Sequence, residues 1–311
     1  MIYTCTMNPA IDMYVALKNL KPDTVNRTID EDYQANGKGV NVSIMLKKLG
    51  IDSVALGFTA GFTGKYIEDT LNEMDISTDF VRTQGITRVN VFVNTTSEYK
   101  IVNQGPFIPV SDQESLLAKI KAIPAHSILI VSGSLPKGVP ETIIVEIAKI
   151  CHKRGIKLVL DTSVQAVMST LEYEPYLLKP NEEEIANLFG VEKSLSEQEL
   201  ITNGNVLLRK GAKNVLISRG KDGALFLSND KQCLRKTTTP QGKVVNTACA
   251  GDAMLAAFIG NQLKNYTLEE SLIYATAVGA STAFSKGLSD LKDIQKLIQE
   301  VRIKKIEEEE A

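Results

Sequence analysis

The sequence predicts an α/β fold with a parallel sheet covered by helices on both faces. Three observations carry that expectation. Short β-branched runs, each about the length of a buried strand, recur along the chain. Segments with helical spacing of apolar residues lie between them. The two kinds alternate, and a cycle of strand then helix builds parallel pairs.

In chain order, the strand-like runs are 2–6, 53–57, 127–132, 157–161 and 214–218. The helix-like segments are 40–49, 64–74, 111–122, 141–154 and 182–189. Sites in such sheets lie beyond the carboxyl ends of the strands. The loops 133–136, 161–163 and 219–223 fall there. Two regions break the alternation. Segments 13–17 and 25–33 have strand character with no helix between them, and 89–94 and 99–103 read as a hairpin around Thr95-Thr96-Ser97-Glu98. Together they predict a small separate sheet inserted twice into the main domain, or else two edge hairpins on the main sheet. The first reading divides the chain into a main body of 1–11, 34–86 and 106–311 and a lid of 12–33 and 87–105. A lid would exclude water from a reactive phosphate.

Composition excludes several classes of function. The 311 residues are 43% hydrophobic and 23% charged, with a net charge of −2. Such a balance offers no basic surface for nucleic acid or an anionic membrane. No signal peptide is expected from the first residues, and no apolar run approaches the roughly 18 residues that span a bilayer. The four cysteines, Cys5, Cys151, Cys233 and Cys249, lack metal-ligand spacing. They read as reduced thiols of a cytoplasmic protein. The tail 306–311 reads as a frayed, solvated end. The two histidines, His126 and His152, sit in no motif. Any general base is therefore expected to be a carboxylate.

The strongest candidate is Asp252, in Asn246-Thr247-Ala248-Cys249-Ala250-Gly251-Asp252. The apolar run 253–259 follows at once and reads as a buried helix. Asp252 would then sit in its first turn, beside free N–H groups and the positive end of the macrodipole. Small Ala250 and Gly251 leave that backbone open to a ligand, and such a helix start is an anion site. A base beside an anion site suits phosphoryl transfer.

Other motifs point the same way. Asn36-Gly37-Lys38-Gly39-Val40-Asn41 opens a helix; its glycines admit a ligand close to the backbone, Lys38 adds charge, and Asn41 offers an amide to hydroxyls. It matches neither the Walker A loop nor Gly-x-Gly-x-x-Gly, which disfavours a dinucleotide site. Asp12, just past the first strand, could accept hydrogen bonds from sugar hydroxyls or serve only as a turn residue. Arg88 and Asn90 share one face of a strand by period two. Arginine's planar fork suits phosphate, and Arg27 could add a second cation. In Lys179-Pro180-Asn181-Glu182-Glu183-Glu184, Asn181 and Glu184 have capping-box spacing. They could also hold water around a phosphate-bound Mg²⁺.

As a set, these pieces resemble the ribokinase-like carbohydrate kinases of the PfkB family, in family order over nearly the whole chain. The resemblance implies a three-layer α/β/α domain with a mostly parallel central sheet, a small β lid, and ATP as phosphoryl donor. It implies that Asp252 is the catalytic base and that the N–H groups of Cys249, Ala250 and Gly251 form the anion hole. Asp12, Gly37, Lys38 and Asn41 would hold the sugar, and Arg88, with Arg27 and Asn103, a phosphate on it. Lys179, Asn181, Ser218, Gly220 and Gly223 would face ATP, with Mg²⁺ near Asn181 and Glu184. The motifs at 8–12, 25–27 and 87–90, Asn90 included, resemble 1-phosphofructokinases especially. The expected reaction is therefore fructose 1-phosphate to fructose 1,6-bisphosphate, with tagatose-6-phosphate kinase or another PfkB sugar kinase as the alternative. A sensor of a sugar phosphate or a nucleotide, without turnover, is the rival from another class. The partners expected are the sugar phosphate, ATP and a second copy of the chain docked through the lid. The chain also departs from the pattern. Cys249 and Asn36 each stand where the family commonly has Gly, Phe92 replaces an expected Lys, Lys100 a common Glu, and Val164 a Gly.

Overall fold

The computed structural model describes residues 1–230 and 233–306. Most of tail 306–311 lies outside the described residues. The central sheet runs, edge to edge, β15 (Ile303–Lys305), β14 (Cys233–Thr237), β13 (Ala224–Ser228), β12 (Asn214–Ser218), β11 (Leu177–Leu178), β10 (Lys157–Asp161), β9 (Ile128–Ser132), β1 (Ile2–Thr6), β4 (Ser53–Ala60) and β5 (Ser77–Thr78). The strand β6 (Val81–Thr83) pairs with the far end of β4. Pairing is parallel from β5 to β12 and antiparallel from β12 to β15. The antiparallel extension goes beyond what the sequence pattern predicts.

Alternation along the strands divides the core. Leu129, Val131, Leu158 and Leu160 point to one side, against α3 (Val110–Ala122), α4 (Thr142–Arg154), α6 (Glu182–Leu188) and α7 (Glu197–Arg209). Ile128, Ile130 and Val159 point to the other, against α1 (Lys38–Lys48), α8 (Ala250–Leu263), α9 (Leu268–Ala283) and α10 (Ile294–Glu300). A third cluster joins α1 to α2 (Gly61–Glu73); the short α5 (Val167–Thr170) follows β10. The result is three layers, α/β/α. Strands buried on both faces explain the continuous apolar runs in the sequence. No described helix is long and apolar enough to cross a membrane.

The lid is a separate sheet in the order β3 (Asp30–Asn36), β2 (Ala10–Ala16), β7 (Arg88–Asn94), β8 (Glu98–Ile101). Its first two strands overlap the expected 13–17 and 25–33 but differ at their ends: β2 begins earlier, at Ala10, and β3 begins later, at Asp30. Val25 has strand propensity but is 83% exposed in a loop. Asn26 closes that loop, donating from Nδ2 to the Lys21 carbonyl at 2.8 Å and accepting from the Lys21 N–H at 2.9 Å. This local tie outweighs a weak propensity. The strand instead forms over Asp30-Glu31-Asp32, whose charges suit a sheet edge.

α8 is buried around most of its circumference, which explains its uniformly apolar sequence. Phe258 anchors it, 2% exposed and with its ring 5.5 Å from that of Phe226 on β13. Phe258→Ala should cost about 3–5 kcal/mol of stability, read from the chemical denaturation midpoint. A loss well under 1 kcal/mol would contradict this packing.

Candidate active site

Asp252 is the third residue of α8 and is 6% exposed. The N–H groups of Gly251 and Asp252 find no backbone acceptor among the described residues, so the helix start presents free donors. A β-carbon on Gly251 would stand 3.3 Å from Lys179 Nζ, so the missing side chain keeps that approach open.

Four elements bring charge to this helix start. Asp161, at the carboxyl end of β10, is buried; Lys38 Nζ donates to its Oδ1 at 3.0 Å, and Lys179 Nζ lies 3.3 Å from its Oδ2. Lys38 also reaches Glu184 Oε1 at 3.1 Å. Burial pushes the Asp161 carboxyl up, but the ammoniums of Lys179 and Lys38 more than reverse this and hold it below the usual range. Asp252 goes the other way. Burial, then the negative charge of Asp161, raises it to about 6, against the opposing pull of Asn41, Lys38 and Lys179. Burial alone would lower Lys38, but Asp161, Glu184 and Asp252 raise it. Asp161 was absent from the sequence-predicted site. Its one signal was a carboxylate at the carboxyl end of a strand.

On the lid side, Asp12 sits within β2 rather than in a turn, 5% exposed. Asn90 Nδ2, directly opposite on β7, donates to its Oδ1 at 2.8 Å, and Asn36 Nδ2 donates to its Oδ2 at 2.7 Å. The next row on the same face holds Tyr14 stacked on Phe92, ring centroids 5.0 Å apart. Arg88 Nη2 donates to the Asn8 carbonyl at 2.9 Å and Nη1 to the Asn103 carbonyl at 3.1 Å, while its buried Nε has no partner. The Asn103 amide is engaged with the Val89 carbonyl at 2.6 Å. Arg27 is exposed in the loop between β2 and β3.

A cavity of about 550 Å³ joins these parts. Asp12, Lys38, Asn41, Lys179, Asn181, Glu184, Ser218, Gly220 and the four residues Cys249, Ala250, Gly251 and Asp252 line it. Gly37, Arg88, Asn90, Asn103, Gly223 and Arg27 do not. Gly223 has a local duty: with φ +84°, a β-carbon there would stand 2.0 Å from the Thr237 carbonyl. Asn181 and Glu184 form the predicted capping box of α6. The far end of the cavity is apolar, with Pro240, Val244, Met254, Ala280 and Phe284, none of which carried a sequence motif. Neither histidine lines this cavity.

Residues 3–295 match the model of the pfkB family carbohydrate kinases. The chain is 52% identical to the D-tagatose-1-phosphate kinase of Bacillus licheniformis, over 97% of this chain and 99% of that protein. It is 35% identical to the 1-phosphofructokinase of Bacillus subtilis, over 98% of this chain and 100% of that protein. Among solved structures it is similar to the tetrameric inhibited form of phosphofructokinase-2 from Escherichia coli, with a TM-score of 0.88 and 26% identity over 96% of this chain and 98% of that one.

Cys249 caps α8 in the left-handed region, φ +63° and ψ −6°. That conformation costs a residue with a β-carbon about 1–2 kcal/mol. Its Sγ sits 3.1 Å from Asn41 Nδ2, and burial, then the charges of Asp252 and Asp12, push the thiol up. Cys249→Gly should be more stable than Cys249→Ala by about 1 kcal/mol, because alanine keeps the strain and glycine removes it. Equal denaturation midpoints would argue against the left-handed cap.

Proposed function

Because the chain belongs to the pfkB family of carbohydrate kinases, we propose that it transfers the γ-phosphoryl group of ATP to a hydroxyl of a ketohexose 1-phosphate. The observation that carries this reading is the buried Asp252 carboxylate at the start of α8, on the same cavity as Asp12. Asp252 takes the proton of the acceptor hydroxyl as its oxygen attacks the γ-phosphorus. The N–H groups of Cys249 and Gly251, with that of Asp252, face the charge on the phosphoryl oxygens, while the Ala250 N–H reaches the Thr247 carbonyl at 3.4 Å. Asp12, Lys38 and Asn41, all on the cavity, hold the sugar. Arg88, with Asn103 and with Arg27 as a second cation from the β2–β3 loop, holds its phosphate end, and Asn90 orients Asp12. Lys179, Asn181, Ser218 and Gly220 form the nucleotide side, and the apolar end of the cavity suits a purine ring.

Mg²⁺ bound with ATP neutralises phosphate charge. Glu184 and Asn181, whose oxygens line the cavity, would hold it through water, while Asp161 Oδ2 is already paired with the Lys179 ammonium at 3.3 Å.

Two relatives named for 1-phosphorylated ketohexoses support the substrate class. The 52% identity to a D-tagatose-1-phosphate kinase favours D-tagatose 1-phosphate. The motifs at 8–12 and 87–90 favour fructose 1-phosphate, giving fructose 1,6-bisphosphate. Tagatose 6-phosphate is the third sugar to compare, because 30% identical relatives bear that name. Segments 12–33 and 87–105 act as the lid in this reading. Apolar side chains exposed on it, Tyr33, Tyr99 and Ile101, suit docking of a second copy. The proposed setting is the cytoplasm, with no nucleic-acid or membrane partner.

ADP release, coupled to a reporter and compared across these three sugar phosphates and their unphosphorylated sugars, tests the reading. Turnover is expected with a ketohexose 1-phosphate; no ADP release with any of them would leave a binding protein without catalysis. Asp252→Asn should lower kcat by about 10²–10⁴. The wild-type rate should fall as pH drops through about 6, because the active form of Asp252 is the carboxylate and acid removes it. An unchanged rate down to pH 5, or near-normal turnover in the Asn variant, would remove Asp252 from the base role. Arg88→Ala should raise KM for the sugar phosphate roughly tenfold or more, with KM for ATP little changed. Equal effects on both would argue against a sugar-phosphate contact.

A further inference from the structure

We propose that Asn36 is a positioning residue that ties Asp12 on the lid to Asp252 on α8, and that its side chain and that of Cys249 together limit the room for the sugar. The inference rests on the kinase reading above. Asn36 is the last residue of β3, where the chain leaves the lid; after Gly37, at φ +135°, it enters α1. Its side chain bonds to both sides of that joint. Toward the lid, Nδ2 donates to Asp12 Oδ2 at 2.7 Å. Toward the body, Oδ1 accepts from the Gly37 N–H at 2.5 Å and from Asn41 Nδ2 at 2.9 Å. Asn41 Nδ2 also donates to Asp252 Oδ2 at 2.8 Å. A continuous line results: Asn90, Asp12, Asn36, Asn41, Asp252.

The chemistry of the line is strict. Asp12, Asn41, Asn90 and Asp252 are all buried, so each unpaired polar atom is costly. An ionised carboxylate only accepts, and an amide group offers two N–H donors. Asn41 Nδ2 lies within reach of three acceptors, namely Asn36 Oδ1, Asp252 Oδ2 and Cys249 Sγ. Its two protons favour the oxygens over sulfur, a weak acceptor. Asn36 thereby fixes which way the Asn41 amide faces, and so which oxygen of Asp252 stays free for a substrate hydroxyl. Asn36 Nδ2 and Cys249 Sγ also approach to 3.9 Å on the cavity wall. With hydrogen at both positions this floor would be open; here two side chains occupy it.

The test uses the full chain, ATP, and D-tagatose 1-phosphate or fructose 1-phosphate, whichever the wild type turns over. Asn36→Ala should raise KM for the sugar phosphate roughly tenfold or more and lower kcat, with KM for ATP within about twofold. Asn36→Ser, which keeps a shorter donor and acceptor, should recover part of the loss. The Asn36→Ala/Asn41→Ala pair should cost scarcely more in kcat than Asn41→Ala alone, because both act through one line. Equal rises in both KM values, additive losses, or an Asn36→Ala enzyme like the wild type would overturn the proposal. Should Asn36→Ala fail to fold, Asn36→Ser alone decides by the same split between the two KM values. The wild type and Asp252→Asn run alongside: an inactive wild type overturns the kinase reading and this proposal with it. An active wild type, a dead Asp252→Asn and an unaffected Asn36→Ala overturn the positioning role alone.

Discussion

Two carboxylates buried near each other at one helix start, Asp161 and Asp252, are the constraint on which the rest of the site depends. Neither could stay ionised alone at that depth. Lys38 and Lys179 compensate, but unequally. Both lie beside Asp161 and act on Asp252 only from farther away, so one carboxyl is held low and the other raised. The division is useful because it yields one fixed anion and one group able to accept a proton. It also dictates architecture. Asp161 ends β10, Lys179 follows β11, Lys38 opens α1 and Asp252 opens α8, so the charge balance exists only when four elements meet at the carboxyl edge of the sheet.

The backbone at that edge is shaped for close approach. Gly251 leaves space beside the Lys179 ammonium, while Gly37 and Gly39 would each collide with Thr6 if they carried a β-carbon. Cys249 is the exception, a β-carbon held in the left-handed region where glycine sits without strain. Strain of this kind persists where surrounding contacts over-determine it. The sulfur lies against the Asn41 amide and close to that of Asn36, which keep it from turning outward.

How much of this was legible in the sequence depends on the range of the interaction. The start of α8 and the capping box of α6 were legible because each is written in adjacent residues. The layered core was legible because the continuous apolar runs at β9 and β10, with helical spacing between them, are local patterns. The start of β3 was placed too early because Asn26 reaches back five residues and closes a loop that strand propensity alone would extend. Asp161 and the apolar end of the cavity were missed for a different reason. Their meaning arises only from partners more than 100 residues away, as with Lys38, or from being assembled around a cavity by several loops. The same distance hides the roles of Asn36 and Cys249, which in sequence are merely two departures from glycine.

These long-range polar contacts also bear on discrimination between sugars. D-tagatose 1-phosphate and fructose 1-phosphate differ in the configuration of one hydroxyl, so apolar area cannot separate them. What separates them is whether each hydroxyl meets a donor or acceptor already fixed in place. Asp12 is such a group: both its oxygens are oriented by buried or half-buried amides, and it cannot turn to follow a misplaced hydroxyl without leaving Asn36 or Asn90 unpaired. On the proposed kinase reading, selectivity would fall to the line from Asn90 to Asp252, and a change at any member would alter the choice of sugar before it altered the binding of ATP.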